Sequence, residues 1–588
     1  MNSGMVSKFT FAVLPLVAFL IAPGLHDPSG IPKLIALVIG GFLYATLNSN
    51  KIFFSSKIQL IPWLMILSYG AIQVIHLDDL QHFLLGAFFR NGGFIALITL
   101  ALIFTITVNL PKEVIDSFYK VFLGTSYGLL IYGVFQILNF LPYKESSQYQ
   151  NSLTLTLTNP NFASAYLGIF ISVFTIKTVA LDRKKLDPKN ILILLLAVFF
   201  LYKTQSLQGY LIIIFGWFLL SVIYRNKIKV YVFRFKKLSS FTVILFLALL
   251  IIKFNVLLNW LINNGSVRQR VNYWKLSIKI WQDNKLTGVG LENLRDYSTR
   301  YRDLVMVKQE GIFTAPDRSH NVILDHFVNG GIFTGTLWLL FITTISYLAF
   351  RNLIKLKEEG ALNNYLLVII IWFSYVLQSL ISVDHLALTV LGYISGGLIV
   401  SHNRKQSEKP QGNIVKSKLF IRINLAVLTI LFVIFLSYSF QIVKYESNAY
   451  KYLYKNDATV LKEFYDSKAV VSQTLEDVTV KISQSKDFEG ANLFALKLLE
   501  YRPSSHQAYY IKSVYLESKG DISAARDEML KALIIDKYNS VYLLGMSIYE
   551  YKLGNLIEAE RYLSKTIAIN PNQQGVDIVS NLISGRKK

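Results

Sequence analysis

Apolar runs of roughly 20 residues, each ended by a short polar stretch, recur along most of this chain. A helix of that length matches the ~30 Å hydrocarbon core of a bilayer. The runs predict about thirteen membrane helices, near residues 9–25, 31–48, 58–75, 83–108, 119–141, 160–181, 190–203, 208–224, 240–262, 327–350, 364–382, 385–401 and 420–440. Arg90 lies inside the 83–108 run, where a charge is costly in lipid, so the outer end of that run reads as broken or as a cavity wall. Two long segments break the pattern, one from Asn263 to about His326 and the other the whole tail after about Val443. The first carries Trp274, Trp281 and regular apolar spacing, and Val271 to Trp281 predicts an amphipathic helix along the membrane surface. The expected division is a membrane domain over 1–443, with a long outer loop over 263–326, and a helical domain over 444–588.

The tail has an internal period. Gly520 and Gly554 are 34 residues apart, as are Ala525 and Ala559, and Ile535 and Ile569. A weaker earlier copy puts Ala491 in phase with Ala525 and Pro503 in phase with Pro571. Small residues at helix crossings with this period resemble tetratricopeptide repeats, in which each helical pair buries its apolar face against the next. A short array of this kind acts either as a plain helical cap or as a docking surface for a protein partner. The expected fold class is therefore all-α: a polytopic membrane bundle with an extracytoplasmic α-solenoid.

Composition agrees with the pattern. Of 588 residues, 53% are hydrophobic and 16% charged, and the mean hydropathy is +0.41, above what a soluble globular chain shows. The formal charge of +23 raises nucleic acid as a partner. Its distribution argues otherwise, because Lys and Arg collect in alternate short loops: Lys51 and Lys57, then Arg183 to Lys189, Arg225 to Lys237, Arg351 to Lys357, and Arg404 to Lys418. That alternation is the positive-inside signature of a cytoplasmic N-terminus. An odd number of spans then puts the tail outside, in a periplasm and hence an inner bacterial membrane. The first run lacks a small-residue cleavage site and reads as a retained helix. There is no cysteine, which excludes disulfides and thiolate metal sites.

Residues with chemical capacity concentrate between Arg268 and Gly335. In order come Arg270 four residues before Trp274, the turn Gly288-Val289-Gly290, the triplet Ser319-His320-Asn321 after Arg318, and Gly330-Gly331 leading to Gly335. No βαβ pattern surrounds Gly288 and Gly290, so they read as a turn and not a dinucleotide site. Upstream, Thr158-Asn159-Pro160-Asn161 opens a helix. Together these pieces resemble the superfamily of O-antigen ligases, O-antigen polymerases and bacterial protein O-oligosaccharyltransferases, over roughly residues 159–400. The resemblance implies a metal-independent, inverting transferase with no cofactor, and a donor glycan linked to a polyprenyl diphosphate such as undecaprenyl diphosphate.

On that resemblance, His320 is the expected catalytic base for an acceptor hydroxyl, since imidazole titrates near neutrality. Arg270 is its catalytic companion, a planar fork suited to phosphate oxygens. Arg90, Gln208, Arg318, Asn321 and Asp384 are the expected substrate-binding residues, with His385 beside Asp384 as a possible support. In one place the chain departs from the family, where many members carry Ser-Arg-Gly and this one has Ser206-Leu207-Gln208-Gly209. Gln208 can hydrogen-bond a phosphate but adds no charge, which leaves Arg90 or Lys203 to compensate. The expected partners are the lipid-linked donor, a lipid A-core or protein acceptor, a protein on the repeats, and membrane lipids. The competing readings are a polymerase of the same superfamily, a non-enzymatic scaffold anchored in the membrane, and a transporter. The last is disfavoured because the notable polar residues gather on one face.

Overall fold

The computed structural model describes residues 10–76, 79–141, 151–181, 187–234, 265–359, 364–404 and 418–586. The expected span 240–262 lies outside them, as do Arg183, Lys184, Lys185, Lys236, Lys237, Lys405, Lys409 and Lys416 of the basic loops. Every regular element among the described residues is helical. The membrane part contains α1 (Val13–Phe19), α2 (Gly30–Leu47), α3 (Leu60–Ile75), α4 (Leu80–Leu85), α5 (Phe94–Val108), α6 (Val114–Ile137), α7 (Pro160–Thr175), α8 (Pro188–Lys203) and α9 (Gln208–Arg234). After α10 (Gly265–Asp283), α11 (Leu294–Tyr301) and α12 (Leu304–Glu310) of the loop, the bundle resumes with α13 (Val322–Glu359), α14 (Tyr365–Ile381), α15 (Leu386–Asn403) and α16 (Lys418–Lys455).

Among the described residues, six helical segments are long and apolar enough to cross a membrane: Gly30–Leu47, Lys57–Ile75, Val114–Ile137, Val322–Leu356, Leu386–Asn403 and Ile421–Lys455. Phe94–Val108, Gln208–Ser221 and Tyr365–Ile381 are apolar but shorter. One contiguous core, with Trp338, Phe341, Trp372, Tyr375 and Phe104 at its densest part, joins α2, α5, α7, α13, α14 and α15. The 83–108 run is interrupted: α4 ends at Leu85, α5 starts at Phe94, and Phe89 and Asn91 between them have left-handed backbone. Polar groups buried here answer helix ends, as the low dielectric requires. Asp27 accepts from the amides of Ser29, Gly30 and Ile31 at the start of α2. Lys33, fully buried, donates to the carbonyls of Val17, Ala18 and Leu20 at the end of α1.

Helix α13 is broken at Gly331 (φ 64°, ψ −167°). The glycine turn packs against the break. The amides of Val289 and Gly290 donate to the carbonyls of Val328 (2.9 Å) and Asn329 (3.0 Å), and Ile332 donates to the carbonyl of Lys285 (2.8 Å). Backbone lies on backbone there, and a Cβ on Gly331 would sit 2.0 Å from the Leu286 carbonyl oxygen. The expected amphipathic helix is α10. Its Tyr273, Leu276 and Ile280 pack with Val289, Leu294, Met306 and Val328, so protein covers its apolar face.

Beyond α16 and the short α17 (Leu461–Asp466) the tail is helical: α18 (Ser472–Gln484), α19 (Phe488–Tyr501), α20 (His506–Ser518), α21 (Ile522–Ile535), α22 (Ser540–Lys552), α23 (Leu556–Ile569) and α24 (Val576–Arg586). Starts at Ser472, His506 and Ser540, and at Phe488, Ile522 and Leu556, repeat every 34 residues. Ala491, Ala525 and Ala559 are fully buried where paired helices cross.

Candidate functional site

The turn carrying His320 is fixed on three sides. Arg318 is buried and ion-paired with Glu292, with Asp325 3.8 Å from its other amine. Asp325 also accepts from the Ser319 amide (2.6 Å), and the Ser319 hydroxyl meets that of Ser277 on α10 (2.8 Å). Asn321 caps α13 by accepting from the Leu324 amide (3.1 Å), and its amide nitrogen donates to the Leu380 carbonyl at the end of α14 (3.0 Å). Between these anchors His320 adopts a left-handed backbone, φ 54°. A branched-chain-free but bulky L residue pays strain of order 1 kcal/mol there, and such strain persists where surroundings over-determine it. The half-buried imidazole lies 5.5 Å from the Tyr273 ring, and its Nδ1 has no hydrogen-bond partner among the described residues.

The electrostatics keep the ring uncharged. Burial lowers the His320 pKa to about 4; nearby Asp317 opposes that shift, and Arg90 and Arg270 reinforce it. The ring is therefore neutral at ordinary pH and has a lone pair to offer. Arg90 binds Asp317 (2.7 Å) and lies over the Phe162 ring, 5.8 Å from its centroid. Burial alone would raise the Asp317 carboxyl, but the Arg90 guanidinium outweighs it and holds the group well below the usual carboxylate range.

Arg270 reaches the end of α14 from the opposite side. Its Nε donates to the Ile381 carbonyl (2.9 Å) and its Nη1 to the Ser266 carbonyl (3.1 Å). The Gln208 amide, oriented to satisfy its surroundings, accepts from Arg270 Nη2 (3.3 Å) and from the Ser382 hydroxyl (3.2 Å), and donates to the Asn161 carbonyl (3.1 Å). The Ser206 hydroxyl in turn donates to the Asn161 side chain (2.8 Å). Gly209 is needed beside this contact, because a Cβ would lie 2.3 Å from the Ser164 carbonyl oxygen on α7. Asn321, Arg270 and Gln208 thus converge on carbonyls and a hydroxyl at the last turn of α14, where helical partners run out. Asp384 follows immediately. Burial raises its pKa to about 7 against the pull of Arg318, and Tyr375 donates to it (3.4 Å). His385 is buried against Phe162, ring centroids 4.6 Å apart.

All seven predicted residues fall in this one region, and each has a definite seat. His320 presents an unpaired ring nitrogen. Arg90 and Arg270 flank it while bonded to protein, and Arg318 and Asn321 hold its turn. Lys203 is not drawn in; it is exposed, with its ammonium 5.6 Å from the Phe199 ring centroid. Asp317, Glu292, Asp325, Phe162 and Ser382 belong to the constellation and were not foreseen. Asp317 had a signal, since a carboxylate beside Arg318-Ser319-His320 is a ready partner for the arginine stranded in an apolar run.

Two cavities of about 550 and 450 Å³ lie beside this region. The larger is lined by Arg90 and Asp317; the loop between α9 and α13 and the tail helices wall both, and the segment from Asp79 to Arg90 adds to the wall of the larger. Residues 192–339 match the family model described as O-antigen ligase, a segment that includes Gln208, Arg270, Arg318, His320 and Asn321. No curated protein matches the chain. The match supports the O-antigen ligase superfamily, and with the apolar helices it marks a multi-pass membrane protein resembling a glycosyltransferase.

Proposed function

We propose that this protein moves a glycan from a polyprenyl diphosphate to an acceptor hydroxyl, on lipid A-core or on protein, at the periplasmic face of the inner membrane. The observation carrying the proposal is an imidazole with an unpartnered ring nitrogen, on an anchored turn between two arginines, within a segment that matches the O-antigen ligase model. His320 takes the proton as the acceptor oxygen bonds to the anomeric carbon. The bond from that carbon to the diphosphate breaks on the opposite face, with inversion, and polyprenyl diphosphate departs. Arg90 exchanges part of its Asp317 contact for a phosphate oxygen, and Arg270 turns Nη2 from Gln208 to the same group, offsetting charge that grows on the leaving oxygen. Arg318, Asn321 and Asp384 bind at the edges of the site and hold its shape.

The same reading extends to topology and tail. About thirteen spans place the basic loops in the cytoplasm and the His320 loop outside, and the tail helices form a tetratricopeptide-like array beside it. His320→Ala at normal protein abundance is expected to abolish glycan transfer in cells, read as loss of long-chain lipopolysaccharide or of glycoprotein staining, whichever the parent strain shows. Unchanged transfer by that variant would remove His320 from the chemistry and refute the proposed mechanism.

A further inference from the structure

The two cavities between loop and tail share Arg295, Asp296, Ala315, Arg502 and Ser504, so they lie side by side with the Arg502–Asp296 ion pair on the shared wall. The larger is lined by Arg90 and by Asp317, which precedes His320 by three residues in the chain. The other is a chamber with Phe313, Phe488, Tyr510 and Tyr542 among its walls. We propose that the two cavities together form a saccharide-binding channel that holds sugar units beyond the one reacting at His320. This deepens the transferase reading and rests on it for the identity of the ligand.

Charge balance selects the ligand class. Four arginines and four carboxylates line the first cavity, and three of each line the second. A wall without net positive field does not gather a diphosphate, which favours clustered cations. Closely alternating planar donors and acceptors suit a neutral polyhydroxyl chain, whose hydroxyls both donate and accept. Many of these groups are pre-positioned. Arg502 is ion-paired with Asp296 and with Glu476 (2.9 Å), and the half-buried Arg90 with Asp317 (2.7 Å). Their geometry is thus set before a ligand arrives, which lowers the ordering cost of binding. The aromatic rings supply apolar faces for sugar C–H groups. Phe313 stands 81% exposed on the wall of the smaller cavity. Both volumes lie in the ~300–1,000 Å³ range of ligand pockets, and two side by side fit an oligosaccharide better than a single sugar. The tail helices supply half of the wall, which gives the repeats a direct share in glycan recognition.

The test uses full-length protein in detergent and two fluorescently labelled oligosaccharides, one released by mild acid from the polyprenyl-diphosphate pool of the expressing strain, the other from its lipid A-core. Phe313→Ala removes an exposed ring without disturbing packing, and Ser504→Trp fills space at the wall that the two cavities share. Each is expected to weaken binding of one oligosaccharide roughly tenfold, whereas Ile557→Ala, exposed far along the tail, leaves it unchanged. Loss confined to the polyprenyl-derived sugar assigns the channel to donor glycan, and loss confined to the core sugar assigns it to acceptor glycan. Binding of both sugars indifferent to both variants, or a response only with a Ser/Thr-rich peptide, would overturn the channel. His320-dependent transfer with sugar binding indifferent to both variants rejects the channel alone, and Phe313-dependent sugar binding without His320-dependent transfer rejects the transferase alone.

Discussion

At single positions, backbone conformation explains more of this sequence than side-chain chemistry does. Gly331 and Gly288 have φ of 64° and 65°, and added Cβ atoms would lie 2.0 and 2.4 Å from backbone oxygens. Gly331→Ala is expected to destabilise by more than about 4 kcal/mol, because neither backbone can withdraw without breaking the bonds that join loop to helix. Recovery of folded, monodisperse protein at wild-type yield would contradict this. The tail supplies the complementary case. Lys486, Gly520 and Gly554 occupy equivalent left-handed turns, φ 66°, 83° and 87°, and the two glycines have open space around them. Lys486 is exposed, so Lys486→Gly should relieve strain and stabilise the tail by about 0.5–1 kcal/mol, while Gly520→Lys costs a similar amount. Thermal unfolding of the two variants measures both, and equal shifts of the same sign would refute the common turn.

Between elements, the decisive contacts are buried ion pairs joining the loop between α9 and α13 to the tail. Arg302 and Asp536 are 1% and 2% exposed, and Arg302 also donates to the carbonyls of Ile312 and Thr314. Removing one partner leaves a buried charge with half its compensation, which costs about 3–5 kcal/mol. Asp536→Ala should therefore loosen the tail from the loop, seen as faster proteolysis between them with the membrane helices intact. An unaltered cleavage pattern would show that the pair does not hold the seam. The same scale explains the break in α13. The helix gives up bonds at Gly331, and Val289, Gly290 and Lys285 supply replacements, so the turn with His320 is tied to α10, α13 and α14 together.

For the molecule as a whole, the pH response follows from the electrostatics of the His320 turn. Its folded pKa of about 4 lies below the ordinary 6.5, so folding favours the neutral ring. The ring's contribution to stability is complete above the ordinary value and is lost as pH falls towards 4. On the proposed mechanism the free protein has its base available above about pH 4, and the acid limb of kcat/KM is expected there. A bound diphosphate favours imidazolium, so the acid limb of kcat should lie higher. Identical limbs for the two parameters would mean that the diphosphate does not bind beside His320. Asp384 behaves oppositely: its pKa of about 7 is raised, so its contribution is present at low pH and lost as pH rises through neutrality. The flanking position of the tail completes the picture, because the cavity lined by Arg90 and Asp317 also has tail residues Ser472, Tyr501 and Arg502 on its wall.

Local pattern in the sequence was sufficient for the helical class, the 34-residue spacing of the tail and the candidacy of His320, Arg270 and Arg90. Hydrophobic periodicity and special backbone positions are properties of neighbouring residues, so they are written where they act. The pairing of Arg90 with Asp317, the clamp of Glu292 and Asp325 on Arg318, and the meeting of Gln208, Arg270 and Asn321 at the end of α14 were decided by tertiary structure. Each joins residues far apart in the chain through a few ångströms of low-dielectric space, where a charge must find whichever partner the fold brings near.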